Sequence, residues 1–443
     1  MNPAVEKTAA EASYIDAFDG DGLPTGPSWL DEARARAREA FVESGLPHRR
    51  IEEWKFTDLR GQLSAAYPPI SEAPLVDAER LQALIAKTPF ASIDAPRAVF
   101  ADGVFRPELS NVDGTAALEF VSLAQSFEDA PEWVKENFGS EICRPDNALA
   151  ALNTAFVTDG AAFRVTGDMD APVELVFIHT SSATHTVTSR ALIVVEDGAS
   201  GSFLETHIGG SEQNYLSNIV TEIILGDGAT INHVKAQVES ADAVHLSDTS
   251  ILLGADTTAN SFTADTGAKI SRNQVFVEFA GENSELNVSG AKILAGSQHS
   301  DTTLEVDHKV PHCTSRELFK LVLDENARGV FQGKVMVAPH AQKTDGKQMA
   351  QALLLSETAE FDAKPELEIF ADDVVCGHGA TAGELDEELL FYLRARGIPK
   401  KQAMALLINA FVGEAFDEVE NSDVREALSV FAGEWLSRRE GAG

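Results

Sequence analysis

The chain has 443 residues, 44% of them hydrophobic and 24% charged, a composition typical of a folded protein with a large core. It contains 35 Lys and Arg against 70 Asp and Glu, so the net charge is −35. A surface this acidic repels phosphate backbones and anionic lipid, which argues against nucleic acids and membrane surfaces as partners.

The cysteines and the N-terminus indicate a reducing compartment. Cys143, Cys313 and Cys376 form an odd, sparse set, which does not suit a disulfide framework. Residues 1–20 carry scattered acids and no apolar core of a signal peptide. No window reaches the roughly 20 apolar residues that a membrane span needs. We therefore expect a cytoplasmic protein.

Residues 1–95 are predicted to form an N-terminal helical domain. Ser28 is suited to cap a helix that ends at Gly45, and a second helix is expected over 77–87. Between them, residues 49–59 are dense in charged and aromatic side chains.

Residues 96–376 are predicted to form a β core with a helical insertion near 130–155. Polar and β-branched residues alternate with period two, which is typical of strands. Apolar runs end in short turns that begin at Glu196, Gly226, Gly254 and Ala280, at steps of 30, 28 and 26 residues. A period of this size favours a parallel β-helix, in which each coil buries its inner face by stacking on its neighbours. Alternation alone also permits an antiparallel sandwich.

Residues 377–443 are predicted to form a C-terminal helical domain. Thr381 and Glu384 fit a capping box for a helix over 384–396. Gly397 ends that helix, and further helices are expected over 400–416 and 423–436.

Motifs for independent catalysis are missing. Residues 329–335 resemble a phosphate-binding loop, but they have one residue too few between the glycines and no Ser or Thr after Lys334. A second cluster holds His308, His312 and Cys313, which a soft metal could use. In a strand, His312 and Cys313 point to opposite faces, so we expect a buried Cys with surface histidines instead.

Cys376 and His378 are the candidate metal ligands. Positions i and i+2 of a strand share a face, so the thiol and the imidazole can converge. Gly377 and Gly379 let another backbone approach closely. Two ligands are too few for a stable iron–sulfur site, so a second chain would have to supply the others.

Several segments together resemble the SufB/SufD family of iron–sulfur cluster assembly proteins. They are residues 49–59, 315–334, 342–348, 353–356, 376–381 and 392–398. Residues 49–59, with Glu52-Glu53-Trp54-Lys55, are similar to the N-terminal signature of the SufD branch.

The resemblance implies a mainly β fold, a right-handed parallel β-helix core flanked by N-terminal and C-terminal helical domains. It also implies a heterodimer with a SufB-like paralogue through the β-helix cores, and a SufC-like ATPase docked on the C-terminal domain. ATP-driven SufC dimerisation would open the site where a nascent cluster forms, and SufD is linked to iron entry. His378 matches the interface histidine of the family, and Cys376 matches its nearby cysteine.

The same resemblance points to the helices after Gly383 as the SufC-docking surface. Its candidate residues are Tyr392, Arg396, Lys400, Leu407 and Phe411. We expect no catalysis by this chain alone and no stably bound cofactor, only transient iron or an iron–sulfur cluster in the complex.

Two other functions fit a β-helix. A polysaccharide lyase or hydrolase would show convergent acids on one face and is usually secreted, which the missing signal peptide argues against. A homo-oligomeric structural protein, or a homodimer of the isolated chain, is compatible with the open ends of the fold.

Overall fold

The structure, a computed structural model, describes residues 7–19, 26–70, 73–140, 142, 144, 147–181, 183–210 and 213–440. Cys143 lies outside the described residues.

Strands are the most abundant secondary structure of the described residues. They are β1 (Arg97–Ala101), β2 (Val104–Phe105), β3 (Leu118–Ser122), β4 (Gly160–Val165), β5 (Val173–His179), β6 (Thr186–Val195), β7 (Ser200–Gly209), β8 (Leu216–Leu225), β9 (Thr230–Val238), β10 (Val244–Leu253), β11 (Thr258–Asp265), β12 (Ile270–Phe279), β13 (Glu285–Leu294), β14 (His299–His308), β15 (Thr314–Leu323), β16 (Arg328–Val337), β17 (Asp345–Leu354), β18 (Glu360–Ile369) and β19 (Val375–Gly383).

The strands alternate between two facing sheets. The first sheet has the order β19-β17-β15-β13-β11-β9-β7-β5-β1-β2, and the second has the order β18-β16-β14-β12-β10-β8-β6-β4-β3. From β4 onward, neighbouring strands within each sheet are parallel and in register. For example, Val244 of β10 lies opposite Ile270 of β12. This is a parallel β-solenoid, so the predicted β-helix is confirmed and the sandwich alternative is wrong.

The predicted turns are the corners of the solenoid. Gly198, Gly228, Asp256 and Asn283 all have a positive φ, between 55° and 69°, and occupy equivalent corners. Each corner bonds to the next, as when the Gly198 N–H donates to the Asp227 carbonyl at 2.8 Å. Gly, Asp and Asn are the residues that tolerate this left-handed conformation, which explains the turn composition of the repeat.

Helices surround the solenoid. They are α1 (Ala9–Asp19), α2 (Ser28–Ser44), α3 (Leu59–Gln62), α4 (Ala78–Ile85), α5 (Leu123–Glu128), α6 (Glu132–Asn137), α7 (Ala148–Phe156), α8 (Glu387–Ala395), α9 (Lys400–Phe416) and α10 (Ser422–Glu440). α9 and α10 cover the outer face of the first sheet, where Phe416 meets Phe262 at a ring distance of 5.9 Å. Among the described residues, no helix is both long and apolar enough to cross a bilayer.

Some predicted boundaries differ from the observed ones. Pro27, not Ser28, is the N-cap of α2. The helical insertion begins at Leu123, and its described residues form α5, α6 and α7, with Pro131 between the first two. β19 continues to Gly383, so the predicted domain boundary at 376–377 falls inside a strand.

The capping box expected at Thr381 and Glu384 is not used. Asp386 caps α8 instead, accepting from the Glu388 and Leu389 N–H groups at 2.8 and 3.0 Å.

The two ends of the solenoid differ. At the N-terminal end, β2 and β3 pair antiparallel with β1 and β4 and close both sheets. At the C-terminal end, β18 bonds only to β16 and β19 only to β17 within the described chain. The final coil therefore carries two free strand edges.

Candidate functional site

β19, the last strand of the first sheet, carries both candidate metal ligands. Cys376 and His378 are two residues apart in an extended strand, so their side chains lie on the same face. Cys376 is half-buried against the apolar interior, and His378 is exposed at the open end.

Each ligand ends a row of inward-facing residues that crosses four strands in register. One row is Leu286, Ser315, Gly346 and Cys376, and the other is Val288, Glu317, Gln348 and His378. The apolar residues that begin these rows lie in the solenoid core. The rows therefore lead from an exposed imidazole at the open end into the interior.

A groove of about 540 Å³ lies beside β19 on the outer face of the first sheet. Most of the side chains that line it are outward-facing ones of the first sheet, together with one residue from the connection between α9 and α10: Asn287, Ser289, Arg316, Leu318, Lys347, Met349 and Glu418. Glu317, Gln348, Cys376 and His378 also contribute to its wall, but their side chains point to the opposite, inner face of the same strands. The groove is therefore separate from the inward-facing row that ends at His378.

Burial sets the protonation of two groups in the inward-facing rows. It raises the pKa of the Cys376 thiol, so the thiol is protonated at neutral pH and a metal has to displace that proton. Burial also raises the pKa of the Glu317 carboxyl to about 7.

The described residues do not form a complete metal centre: no three His, Cys, Asp or Glu side chains converge there on a common point. Among the described residues, Cys376 and His378 thus provide at most half of a four-ligand site. A structural zinc or iron–sulfur site needs about four protein ligands.

The second cysteine–histidine cluster is spread over a corner. Cys313 is fully buried, and its thiol lies 3.5 Å from the carbonyl oxygens of Gly281 and Pro311. The prediction of surface histidines holds for His312 and is wrong for His308. His308 ends β14 facing inward, stacked on Phe279 at 4.3 Å, because its position in the strand points to the core.

The segment that resembles a phosphate-binding loop is not a loop. Residues 329–335 lie within β16, fully extended between β14 and β18. Lys334 is paired with Glu368 at 3.0 Å on the outer face. The geometry agrees with the sequence in excluding a nucleotide site here.

Comparison with known proteins decides the family. Residues 177–411 match the family described as SUF system FeS cluster assembly, SufBD core domain, and residues 10–174 match the SufBD protein N-terminal region. The core match alone covers more than half of the chain. This chain belongs to the SufBD family of iron–sulfur cluster assembly proteins.

Relatives from three bacteria extend over nearly the whole chain. A SufBD family protein of Synechocystis is 34% identical over 91% of this chain and 90% of its own length. Proteins named SufD from Escherichia coli and Bacillus subtilis are 29% and 27% identical, each over 95% of this chain and over 95% and 97% of their own lengths. The SufD resemblance noted from the sequence is thereby confirmed.

The predicted docking residues of this SufBD protein lie on α8, on α9 and between them. Tyr392, Arg396 and Lys400 are exposed, and the Arg396 guanidinium stacks over the Tyr392 ring at 3.7 Å. Leu407 and Phe411 are half-buried, and Lys320 of the first sheet lies 4.5 Å from the centre of the Phe411 ring. Phe411 therefore packs partly against the solenoid, and Tyr392, Arg396 and Lys400 provide the exposed part of this surface.

Sequence reasoning missed several apolar residues on this surface. α8 buries none of its side chains, and Leu389, Phe391 and Leu406 are between 50% and 74% exposed. Such an apolar surface on a short helix marks an interaction site. The sequence signal was present, because α8 has more large apolar residues than one packed stripe requires.

Glu317 and Gln348 were also missed. In β15 the inward positions are Ser315, Glu317, Phe319, Leu321 and Leu323. A charged residue at an inward position breaks the polar–apolar alternation of the strand, and that break is the signal that would have identified it.

Proposed function

We propose that this chain is the SufD-like subunit of a SufB–SufC–SufD scaffold, and that it supports iron entry and nascent cluster formation at the interface with a SufB-like partner. The observation that supports this most directly is the open end of the solenoid. It combines free strand edges, exposed apolar side chains and an incomplete pair of metal ligands.

The open end has the features of a protein interface. Phe370 and Val375 are 66% and 63% exposed, and Ile369 and Met349 are more than one-third exposed, all beside the final coil. Solenoids need a polar cap at each end to stay soluble, and this end has none among the described residues. A second β-solenoid is the partner that would cover the end and supply further ligands.

The two free edges are not equivalent. In β18 the backbone N–H groups of even-numbered residues point to β16, as that of Glu360 does. The backbone N–H groups of odd-numbered residues therefore point to the free edge of the sheet. Pro365 occupies one of those odd-numbered positions, and because proline has no N–H, the edge lacks a hydrogen-bond donor there. β19 has no proline. The Val375 N–H donates to the Thr344 carbonyl, so the backbone N–H groups that point to the free edge are those of residues 376, 378, 380 and 382. β19 is therefore the edge available for pairing with a partner strand.

The C-terminal helices are the proposed dock for a SufC-like ATPase. Tyr392, Phe391 and Leu389 project from α8, which contacts the rest of the chain mainly through α9. ATP hydrolysis by the docked ATPase would shift these helices, and α8 follows β19 after only three residues. Motion of the helices would thus be transmitted to the strand that carries Cys376 and His378.

In this scheme the chain catalyses no covalent step alone and holds no resident cofactor. Iron and the nascent cluster are its cargo. Cys376 and His378 contribute one thiolate and one imidazole, and the partner contributes the remaining ligands.

Anaerobic reconstitution of the three-protein complex tests the proposal. We expect His378→Ala to reduce the yield of cluster at least tenfold while a pull-down still recovers both partners, because the imidazole is exposed and supports no packing. His340→Ala, at an exposed corner, is the matched control and should leave the yield unchanged.

The proposal fails if purified wild-type chain recovers neither a SufB-like nor a SufC-like protein, or if His378→Ala gives a normal yield. Light scattering identifies a homodimer of the isolated chain, which should dissociate in favour of the heterodimer when the SufB-like partner is added.

A further inference from the structure

The groove of about 540 Å³ on the outer face of the first sheet has an apolar floor. Leu318 of β15 and Met349 of β17 form this floor, and Val375 of β19 lies at its edge. Leu318 is half-buried, whereas Met349 and Val375 are 37% and 63% exposed. The floor is therefore open to a side chain from another molecule.

Two cations flank the apolar floor. Arg316 of β15 and Lys347 of β17 are neighbours in the same register row. The Arg316 guanidinium is fixed by Asp345, at 2.9 Å from a carboxylate oxygen and 2.8 Å from the backbone carbonyl oxygen. Lys347 is exposed, and its ammonium lies 3.9 Å from the Asp345 carboxylate. A fixed guanidinium and an exposed lysine both pack well against the face of an aromatic ring.

Two hydrogen-bond acceptors also line the groove. Asn287 of β13 donates its amide N–H to Asn260 at 2.8 Å, and its own amide oxygen accepts no hydrogen bond within the described chain. Glu418, between α9 and α10, is exposed, and its carboxylate forms no ion pair among the described residues. These acceptors suit a ligand that carries an O–H or N–H donor at its tip.

The groove is continuous with the free edge of β19. Gly377 lies beside Lys347 in the register, and a Cβ built at Gly377 would meet no atom within 4 Å. In an antiparallel pair, directly opposite residues point to the same face of the sheet. The residue of a partner strand opposite Gly377 would therefore point to the outer face, with an open path to the groove. That strand would lie about 9.6 Å from β17, two strand spacings away, so only a long side chain reaches the floor.

The chemistry of the lining selects among long side chains. A carboxylate would be repelled by Glu418 and Asp345. An ammonium or guanidinium group would be repelled by Arg316 and Lys347. An aliphatic side chain would leave both free acceptors without a donor. Tyrosine and tryptophan combine a flat apolar ring with one O–H or N–H donor, and they dominate the energetics of many interfaces.

We propose that the groove is the socket for a tyrosine or tryptophan side chain of the partner, carried by the strand that pairs with β19. The identity of that partner as a SufB-like protein rests on the function proposed above. The ring packs on the apolar floor beside the two cations, and its O–H or N–H donates to Asn287 or Glu418. The socket fixes the register of the two strands, because a shift by two residues moves the ring about 6.6 Å along the groove.

The socket itself is tested on the purified full-length chain without a partner. The probes are 4-methylphenol and 3-methylindole, which reproduce the side chains of tyrosine and tryptophan, and propionate, which reproduces that of glutamate. Nuclear magnetic resonance follows the methyl signal of Met349, one of five methionines, assigned with Met349→Leu. We expect a saturable shift with an aromatic probe and none with propionate. No shift with either aromatic probe, or an equal shift with propionate, overturns the socket.

Use of the socket by the partner is tested by titration with the SufB-like protein. Gly377→Leu plugs the groove and should fold normally, since a Cβ there meets no neighbour. Gly383→Leu is the matched control, because Gly383 lies on the same face of β19 in equally open space, about 20 Å along the strand. We expect Gly377→Leu to weaken partner binding at least tenfold and Gly383→Leu to leave it unchanged, with melting temperatures equal to that of wild type. Equal affinities of the two variants overturn the socket.

The two proposals fail separately. If the SufB-like protein binds wild type and Gly377→Leu equally, the socket is wrong and the scaffold function stands. If an aromatic probe binds wild type but not Gly377→Leu, and the chain recovers no SufB-like protein, the aromatic socket stands and the scaffold function is wrong.

Discussion

Trp54 lies beneath the guanidinium of Arg272, with 3.9 Å between the guanidinium carbon and the ring centre. Arg272 is fully buried on the outer face of β12 and is paired with Asp301 of β14. Thr57 bonds Asp301 as well and lies 2.8 Å from the His299 Nε2. The sequence signature at 49–59 is therefore a clasp that fastens the N-terminal segment across the second sheet.

Truncation of Trp54 tests the clasp. Trp54→Ala should lower the free energy of unfolding by about 3 kcal/mol, because it opens a cavity and uncovers a buried ion pair. Lys55→Ala, next in the chain but exposed, should change the free energy by less than about 0.5 kcal/mol. Urea unfolding of both variants measures the difference, and equal values would show that the clasp contributes nothing.

At the scale of elements, the free edge of β19 is the one that we propose pairs with a partner strand. Ala380 is exposed, and its backbone N–H points to the free edge of the sheet. Ala380→Pro therefore removes a hydrogen-bond donor from that edge without breaking the hydrogen bonds between β19 and β17. We expect the variant to fold normally and to lose at least tenfold in affinity for the SufB-like partner.

Ala380→Ser retains the N–H and serves as the control in the same titration. Unchanged affinity of the proline variant would mean that β19 does not pair with the partner.

The exposed apolar side chains of α8 make a second, separable prediction. Phe391→Ser together with Tyr392→Ser should weaken binding of the SufC-like ATPase at least tenfold, since aromatic side chains dominate most interfaces. The melting temperature should stay within about 2 °C, because α8 buries none of its side chains. Pull-down with each partner separates the effects, and loss of the SufB-like protein as well would indicate general unfolding instead.

The sequence predicted the elements better than their ends. The solenoid followed from corner residues such as Gly198 and Asp256, whose left-handed backbone is a local property. α9 was predicted with its observed bounds, since Pro399 fixes its start. The end of β19 could not be predicted, because its final residues are held by pairing with β17, which is remote in sequence.

The candidate site was predictable only in part for a similar reason. The i, i+2 spacing of Cys376 and His378 placed them on one face, and the strand confirms that geometry. Glu317 and Gln348 are 61 and 30 residues earlier than His378, so only the register of the coils brings them into one row.

At the scale of the whole molecule, part of the solenoid interior is polar, beside the apolar core. Glu205 bridges His207 and His233, with oxygen–nitrogen distances of 2.6 and 3.0 Å. Asp265 pairs with Lys292 at 2.6 Å. These groups are buried, and a change in the protonation of Glu205, His207 or Asp265 would break the contacts, so the fold becomes sensitive to pH.

Three buried histidines set the direction of that sensitivity. Burial lowers the pKa of His207, His299 and His308 to about 4, from an ordinary value of 6.5. The unfolded chain therefore binds more protons between pH 6.5 and 4, and the stability present above that window is lost as the pH falls through it. Each histidine accounts for about 3 kcal/mol across the window.

The dependence of unfolding free energy on pH can be assigned to single residues. His308→Gln keeps a polar group for Ser315, which lies 3.1 Å from the His308 Nε2, and it removes one titrating ring. We expect the slope between pH 6.5 and 4.5 to fall by about 1.4 kcal/mol per pH unit in this variant, which corresponds to one proton. His340→Gln, at an exposed corner, should leave the slope unchanged. Identical slopes for wild type and His308→Gln would mean that the ring of His308 takes up its proton in the folded chain as readily as in the unfolded one.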